Sequence, residues 1–359
     1  TWWPKVVPQF STDGSMFLLG ARAGAGPSYA EMIWYSPDKG NDWKPIPQMP
    51  IGAASPALPG SGLSERGWCV VNSNILFVGD IDGWIYKTIN RGASWTDGAL
   101  TGTDLEIDSI VASPIYNESV KNGSDKCVLV GTYDSGSSKI CEVWLSQDGC
   151  IQDLENVGDE IYVSPSWYLG KDTDQLLSDE SDLGGTVVNF DRNWATNHII
   201  YAASQGWLDM WHETYKNANN ISRSAYTDVS VVRTVVDFID PSAATWEHLW
   251  DADDWNNTAP NPQPLDREYL KSINMEGMPV LRVVAPTAIE IGPDGTVYVI
   301  FYLWDSSYNH PGDNPSPNAP GYGRFTLGGI LRCLNGTAAY PQFELLSDGL
   351  GQWDGLYLG

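Results

Sequence analysis

The sequence predicts an all-β fold made from a repeated four-stranded antiparallel unit, and three observations predict it. Short apolar strands of one character recur along the chain. A polar turn with the same residue types follows several of them. The composition is that of strands and turns: Trp and Tyr occur 17 times each, beside 36 Gly and 23 Pro in 359 residues. Aromatic residues favour strands, and Gly and Pro punctuate them.

Taken in order, the recurring strands are Met16-Phe17-Leu18-Leu19-Gly20, Ile75-Leu76-Phe77-Val78-Gly79, Cys127-Val128-Leu129-Val130-Gly131, Ile199-Ile200-Tyr201-Ala202-Ala203 and Val297-Tyr298-Val299-Ile300-Phe301. Each is apolar nearly throughout, as expected of a strand buried on both faces. Turn residues precede several of them: Thr12-Asp13-Gly14, Asn72-Ser73-Asn74, Ala195-Thr196-Asn197 and Pro293-Asp294-Gly295. The closing fragment Trp353 to Gly359 restarts the pattern. A chain that opens on Thr1-Trp2-Trp3 and ends in such a fragment is expected to be a processed product or part of a longer protein.

After each apolar strand comes a more amphipathic one that leads into a polar turn. The first two turns are near twins, Ser36-Pro37-Asp38-Lys39-Gly40-Asn41-Asp42-Trp43 and Thr88-Ile89-Asn90-Arg91-Gly92-Ala93-Ser94-Trp95. The third, Ser146-Gln147-Asp148-Gly149-Cys150, keeps Ser, Asp and Gly but reads as one residue shorter before the Gly. The fourth has lost the signature and is expected at Asn217 to Ser222, while the fifth runs from Cys333 to Thr337 with Tyr340 near the place of the Trp. A four-stranded unit repeating every 40 to 60 residues or so, without helical periodicity between, is the pattern of a β-propeller. The expectation is one propeller domain over residues 1–359, of about five to seven blades. The interval 205–286 would hold a long insertion or a degenerate blade.

The turns resemble the Asp-box, or BNR, repeats of sialidase-type propellers, whose pattern is S-x-D-x-G-x-T-W. Ser36, Asp38, Gly40 and Trp43 match it, with Asp42 where Thr is usual; Thr88, Asn90, Gly92, Ser94 and Trp95 match conservatively; Ser146, Asp148 and Gly149 match in part. The resemblance implies a fold more than a function, because the family spans glycosidases, sorting receptors, assembly factors and surface proteins. Physically the turn explains itself. Gly takes positive φ, the Asp or Asn side chain accepts backbone N–H groups, and Ser or Thr closes the loop. Asp38 and Asn90 are therefore read as turn pins rather than acids for catalysis.

Charge narrows the partners. Forty-five acidic residues against 20 basic give a formal charge of −25, which repels nucleic acid and anionic membranes. No apolar run approaches the roughly 20 residues of a membrane-spanning helix. The five cysteines, Cys69, Cys127, Cys141, Cys150 and Cys333, contain no C-x2-C pair. Cys141 and Cys150 flank a candidate hairpin, so either a disulfide across its base or buried thiols are open. Five N-x-S/T sequons, at Asn117, Asn122, Asn220, Asn256 and Asn335, together with few lysines point to an extracellular or cell-surface location.

The search for chemistry yields candidates without a constellation. A sialidase needs an arginine trio; Arg22, Arg233 and Arg282 are available, but the family's R-I-P motif is absent and Val7-Pro8-Gln9-Phe10 stands in its place. Xyloglucanase-like propellers use paired aspartates, for which Asp80 and Asp82 after a central strand are candidates. Glycosidase carboxylates stand roughly 5 to 9.5 Å apart, usually on different strands, whereas a D-x-D pair reads first as a turn. Acidic clusters at Asp172 and Asp174, and at Asp251 and Asp253, could hold calcium, though without EF-hand spacing; no other cofactor is expected. Trp207, Trp211, Trp246, Trp250 and Trp255 crowd one interval and serve either as core or as a surface for sugars or a protein neighbour. The Pro-rich stretch from Asp305 to Gly323 is expected to project as an arm. The function expected is a non-enzymatic structural or interaction module of a surface layer or appendage, its partners being other subunits or copies of itself. The rival is a carbohydrate-active propeller, either a glycoside hydrolase or a glycan-binding module.

Overall fold

The computed structural model describes residues 2–4, 9–10, 14–22, 31–50, 63–96, 98–101, 105–133, 140–152, 154–157, 162–163, 186–204, 206–209, 230–251, 281–305, 326–339, 341 and 343–345. These residues are mostly β and form small antiparallel sheets, here numbered one to five in chain order. Sheet one holds Trp2–Pro4 and Gln9–Phe10, both paired to Met16–Arg22, followed by Glu31–Ser36 and Lys44–Pro45. Sheet two is the meander Leu63–Val70, Leu76–Asp80, Trp84–Thr88 and Ala99–Leu100. Sheet three runs Glu106–Ala112, Val128–Tyr133, Ile140–Ser146 and Glu155–Asn156, with Tyr162–Val163 paired to the start of its third strand. Sheet four is Thr186–Phe190, Ile199–Ser204, Ser230–Val235 and Glu247–Asp251. Sheet five is Leu281–Ile291, Val297–Asp305, Thr326–Cys333 and Phe343–Leu345, joined by Gly206–Asp209 against the beginning of its first strand. Among the described residues helix is confined to the single turn Trp194–Asn197 and two short 3-10 segments.

Within the interval 205–286, residues 230–251 supply the outer half of sheet four and residues 206–209 bind sheet five. The turn between the third and fourth strands of sheet four is consequently residues 236–246, not Asn217 to Ser222, which lie outside the described residues. Sequence reading missed it because Val235 stands where the other turns have Ser or Thr. Only Asp237, whose Oδ1 accepts the Ile239 N–H at 2.8 Å, and Trp246, directly before the outer strand, keep their places.

The core lies between sheets rather than within them. Phe17 and Ile33 of sheet one pack with Leu63, Trp68, Leu76 and Val78 of sheet two. Phe77 and Ile85 pack with Ile107, Val128 and Val130 of sheet three. Leu129 and Val143 pack with Val188, Ile200 and Val232 of sheet four, and Tyr201 and Val231 with Ile289, Val297 and Leu331 of sheet five. This is why the repeated strands of sheets two, three and four are apolar on both faces: each faces a neighbour on either side. The first strands pack in series, Leu63–Val70 on Glu106–Ala112, that strand on Thr186–Phe190, and that one on Leu281–Ile291. Side-by-side antiparallel sheets joined through their first strands are consistent with a β-propeller.

Two glycines within second strands, Gly79 and Gly131, set the spacing. A Cβ on Gly79 would come within 2.5 Å of the Ile107 side chain, and one on Gly131 would overlap the Thr186 carbonyl oxygen. Neither glycine takes a positive φ, so the requirement is space. The same contact is locked by hydrogen bonds: Thr186 Oγ1 donates to the Thr132 carbonyl at 2.8 Å, Ser109 Oγ donates to the Thr186 carbonyl at 2.8 Å, and the Thr186 N–H donates to Asp108 Oδ2 at 2.9 Å.

The cysteine expectation is corrected. Cys141 and Cys150 do not flank a hairpin: Cys141 opens the strand Ile140–Ser146, and Cys150 lies in the turn beyond its far end. At about 3.3 Å per residue the strand separates Cys141 from Ser146 by roughly 16 Å, far beyond the ~7 Å limit for a disulfide. Cys150 is a free, buried thiol, as are Cys127 and Cys333. Burial pushes the thiols of Cys127 and Cys150 up to about 12.

The spacing argument predicts that Gly131→Ala lowers stability by about 3 kcal/mol, the upper range for overpacking, because the neighbour is backbone and cannot turn aside. Gly79→Ala, which meets a side chain, is expected to cost less. Urea denaturation of the two variants checks the order.

Candidate functional site

The turns after the third strands are built on one plan in the first three sheets, the Asp of the third accepting an N–H one residue earlier than its counterparts. In sheet one, Ser36 Oγ donates to Asp38 Oδ1 at 2.8 Å and accepts the Gly40 N–H at 2.8 Å, while Asp38 Oδ1 accepts the Asp42 N–H at 2.8 Å. In sheet two, Thr88 Oγ1 donates to Asn90 Oδ1 at 3.0 Å and accepts the Gly92 N–H at 2.8 Å, and Asn90 Oδ1 accepts the Ser94 N–H at 2.9 Å. In sheet three, Ser146 Oγ donates to Asp148 Oδ1 at 3.0 Å and accepts the Cys150 N–H at 2.7 Å, and Asp148 Oδ1 accepts the Ile151 N–H at 3.0 Å. The third turn is therefore not one residue shorter. Cys150 occupies the glycine place, and Gly149 precedes it.

Paired left-handed residues drive each turn: Lys39 and Gly40 at φ 60° and 90°, Arg91 and Gly92 at 55° and 75°, Gly149 and Cys150 at 73° and 59°. The Gly92 place is also crowded, since a Cβ there would meet Ile46 Cδ1 at 2.6 Å. The closing tryptophans reach carbonyls: Trp43 Nε1 donates to Gly40 at 3.0 Å, Trp95 Nε1 to Gln48 of sheet one at 2.9 Å, and Trp246 Nε1 to Val157 of sheet three at 3.0 Å. The Asp38 carboxyl is held below the ordinary range by the Asp42 N–H and then by Ser36.

Asp80, the candidate acid, ends the second strand of sheet two and is fully buried. Its Oδ1 accepts the Asp82 N–H at 3.0 Å and the Trp84 N–H at 2.8 Å, and its Oδ2 accepts the Tyr86 hydroxyl at 3.3 Å. Burial raises its carboxyl above the usual range, opposed by those N–H donors. Its acceptor oxygens are thus occupied by its own turn, and Asp82 supplies one of the donors. Sequence reasoning missed a second copy of this device: buried Asp191 accepts the Asn193 N–H at 2.8 Å, Asn197 Nδ2 at 2.7 Å and the Tyr201 hydroxyl at 3.2 Å. An Asp after one strand with a Tyr on the next is the signal that could have found it.

Of the arginines, Arg233 is buried and forks onto Glu247, with Nε to Oε2 at 2.8 Å and Nη2 to Oε1 at 2.9 Å, while Nη1 donates to the Gly336 carbonyl. Its donors link sheets four and five. Arg22 and Arg282 lie on strands of sheets one and five, with side chains outside the described set.

A cluster that the sequence did not announce joins sheets two and three. Lys87 Nζ lies 3.2 Å and Lys126 Nζ 3.3 Å from Glu118 Oε1, and the Tyr116 hydroxyl donates to Glu118 Oε2 at 2.7 Å. Burial pushes the Glu118 carboxyl up, but Tyr116 and the two ammonium groups outweigh it and leave it lowered. Burial and Glu118 together drive the Tyr116 phenol upward. Both lysines are buried, so the cluster acts as an ionic staple between sheets.

Asp172, Asp174 and Asp253 lie outside the described residues, and Asp251 ends an outer strand. Among the described residues no group of three or more His, Cys, Asp or Glu could hold a metal ion, and no helix is long and apolar enough to cross a membrane. The sequon residues Asn117, Asn122 and Asn335 are exposed on turns at the same end of the sheets as the pinned turns; Asn220 and Asn256 lie outside the described residues. That same end presents apolar side chains. Ile89, Ile115, Ile151, Val235, Ile239 and Leu334 are exposed there, each on a turn or at its mouth.

No protein-family model matches the chain, and no curated protein is similar to it. Among solved structures the chain is similar to a GH74 enzyme of Niastella koreensis, with 16% identity and a TM-score of 0.36 over 92% of this chain and 44% of that one. It therefore spans less than half the length of that enzyme. It is similar to YCF48 bound to D1 peptide, with 13% identity and a TM-score of 0.40 over 94% of this chain and 67% of that one. It is also similar to a PL25 ulvan lyase bound to a GlcA–Rha3S saccharide, with 9% identity and a TM-score of 0.42 over 94% and 69% of the two chains.

Two outcomes follow from the buried pins. Thr88→Val leaves the buried Gly92 N–H without its acceptor and is expected to cost about 2 kcal/mol in chemical denaturation. For Asp80, the raised carboxyl means that the folded chain holds a proton more tightly than the unfolded one. Stability then falls as pH rises from the ordinary Asp value through the raised one. Asp80→Asn keeps an oxygen acceptor for both N–H groups without the buried charge, so it is expected to abolish that slope and exceed the parent in stability at pH 7. Asp80→Ala leaves them unpaired and is expected to lose about 2 kcal/mol. Thermal midpoints across acid to neutral pH distinguish the two.

Proposed function

We propose that the chain is a β-propeller whose five described sheets are blades, the first three with Asp-box-type turns, and that it works outside the cell, or displayed on it, as a non-enzymatic interaction module of a surface assembly. The observation that carries this reading is the end of the molecule formed by the pinned turns. Rigid turns, closed internally by Ser36, Thr88 and Ser146, carry aliphatic side chains outward. A fold spends little entropy in offering such groups to a partner.

The buried ionisable groups support the same reading from the other side. Asp80, Asp191, Arg233 and Glu118 have partners that hold turns or join sheets. The sequons at Asn117, Asn122 and Asn335 and the acidic surface suit an extracellular setting.

The rival is a carbohydrate-active propeller, since two of the similar structures are named as a GH74 enzyme and an ulvan lyase. Incubation with xyloglucan and ulvan, followed by reducing-end and unsaturated-product assays, separates the two. The expected result is no release of oligosaccharide. Turnover that disappears in Asp82→Asn with the fold intact would establish the rival instead. Surface exposure is checked separately by protease shaving of intact cells of the source organism, where release of the chain without lysis is expected.

A further inference from the structure

We infer that the turns of sheets three and four form one docking patch for a basic, aliphatic segment of a partner polypeptide; the inference rests on the interaction-module reading and names the partner's chemistry.

The two turns are physically continuous. Gln147 Nε2 donates to the Phe238 carbonyl at 3.0 Å, and Trp246 Nε1 donates to the Val157 carbonyl at 3.0 Å. The outer strand of sheet three also packs on Pro241–Ala243. On this joined surface Ile151 is 58% and Ile239 93% exposed. An isoleucine with almost all its surface in water contributes nothing to the core, and two such side chains on turns that are bonded to each other make an aliphatic patch. Side chains isolated over a surface need no explanation; these are held together by the turn–turn bonds.

Charge selects the occupant. Residues 146–152 and 235–246 contain Asp148, Asp237 and Asp240 and no Lys or Arg. Among the described residues none of these three carboxylates makes an ion pair. Asp237 accepts the Ile239 N–H, Asp240 accepts the Ser242 hydroxyl at 2.6 Å, and Asp148 accepts the Ile151 N–H. They are thereby fixed beside the aliphatic groups with their remaining lone pairs outward. A second copy docked face to face would set these acids against themselves, on a chain already at −25. An anionic lipid surface is repelled for the same reason. Sugars are bound by aromatic platforms, whereas the exposed groups here are aliphatic. A segment alternating Lys or Arg with large apolar residues satisfies both features: its apolar groups cover Ile151 and Ile239, and its cations meet the three carboxylates.

The test uses the whole chain and fluorescence anisotropy with three labelled synthetic peptides of equal length, alternating Lys with Leu, Lys with Ser, and Glu with Leu. The Lys–Leu peptide is expected to bind, more weakly as salt rises. Ile151→Ser with Ile239→Ser is expected to weaken it about tenfold or more, and Asp237→Asn with Asp240→Asn to flatten the salt dependence. Both are surface changes, and an unchanged thermal midpoint shows that folding is kept. Failure of the Lys–Leu peptide to bind, equal binding of the Lys–Ser peptide, or undiminished binding by the Ile151/Ile239 variant overturns the proposal. So does a self-association seen in sedimentation that the same variant abolishes. None of these results depends on polysaccharide turnover or on cell-surface release, so failure of the patch and failure of the broader reading are told apart.

Discussion

Everything in this molecule depends on how closely one sheet can approach the next. The first strand of sheet three enters against Gly79, and the first strand of sheet four against Gly131, at separations that leave no room for a Cβ. Once the backbones are that close, backbone groups of one sheet become partners for the other. The Thr186 carbonyl accepts Ser109, and its N–H reaches Asp108. The bond network and the steric fit thus reinforce each other: a larger side chain would both clash and pull these donors out of reach. Apolar packing between the same sheets supplies the bulk of the driving force, but it has no direction. Direction comes from the glycines and the Thr186 bonds.

A second layer of order sits at the ends of the strands. Turns with two successive left-handed residues are strained for anything but Gly, yet Lys39, Arg91 and Cys150 all adopt that region. What holds them is the side-chain oxygen of Ser36, Thr88 or Ser146, which captures the N–H two residues beyond the Asp or Asn. Since the oxygen is buried with its partner, losing it leaves an orphan donor away from water, which is costly. Arg91 gains further from its place over the Tyr35 ring at 4.0 Å and its Nε bond to the Ser73 carbonyl at 2.7 Å. The turn is consequently a fixed platform, and the residues it exposes are fixed with it.

How much of this could be read in advance follows from the range of each interaction. Strands carrying Gly79 and Gly131 were visible because burial on both faces leaves a continuous apolar run. The Ser-x-Asp and Thr-x-Asn pins were visible because their partners lie within four residues. Cys150 was misread, since a turn motif anchored on Gly hides a case in which another residue takes the left-handed place. The turn of sheet four escaped because Val235 carries no oxygen, and only the position of Trp246 before its strand marks it. The ionic staple of Lys87 with Glu118 spans 31 residues, and nothing local in either segment announces it. The occupation of Asp80 by its own turn likewise required knowing which N–H groups point back at it.

The patch on sheets three and four draws on both layers. Sheet-to-sheet packing brings the two turns side by side, the Ser146 clamp keeps that of sheet three from relaxing, and Asp237 ties that of sheet four. Were the turns loose, Ile239 would lower its exposure by folding onto Phe238 or Trp246, because burying an isoleucine in water's place is favourable by roughly 2 kcal/mol. The Asp237 bond to its N–H and the neighbouring Pro241, whose ring fixes the backbone just beyond, oppose that collapse. An exposed aliphatic group held out by backbone geometry retains its full hydrophobic gain for whatever binds it. This is how rigid turns present a specific surface.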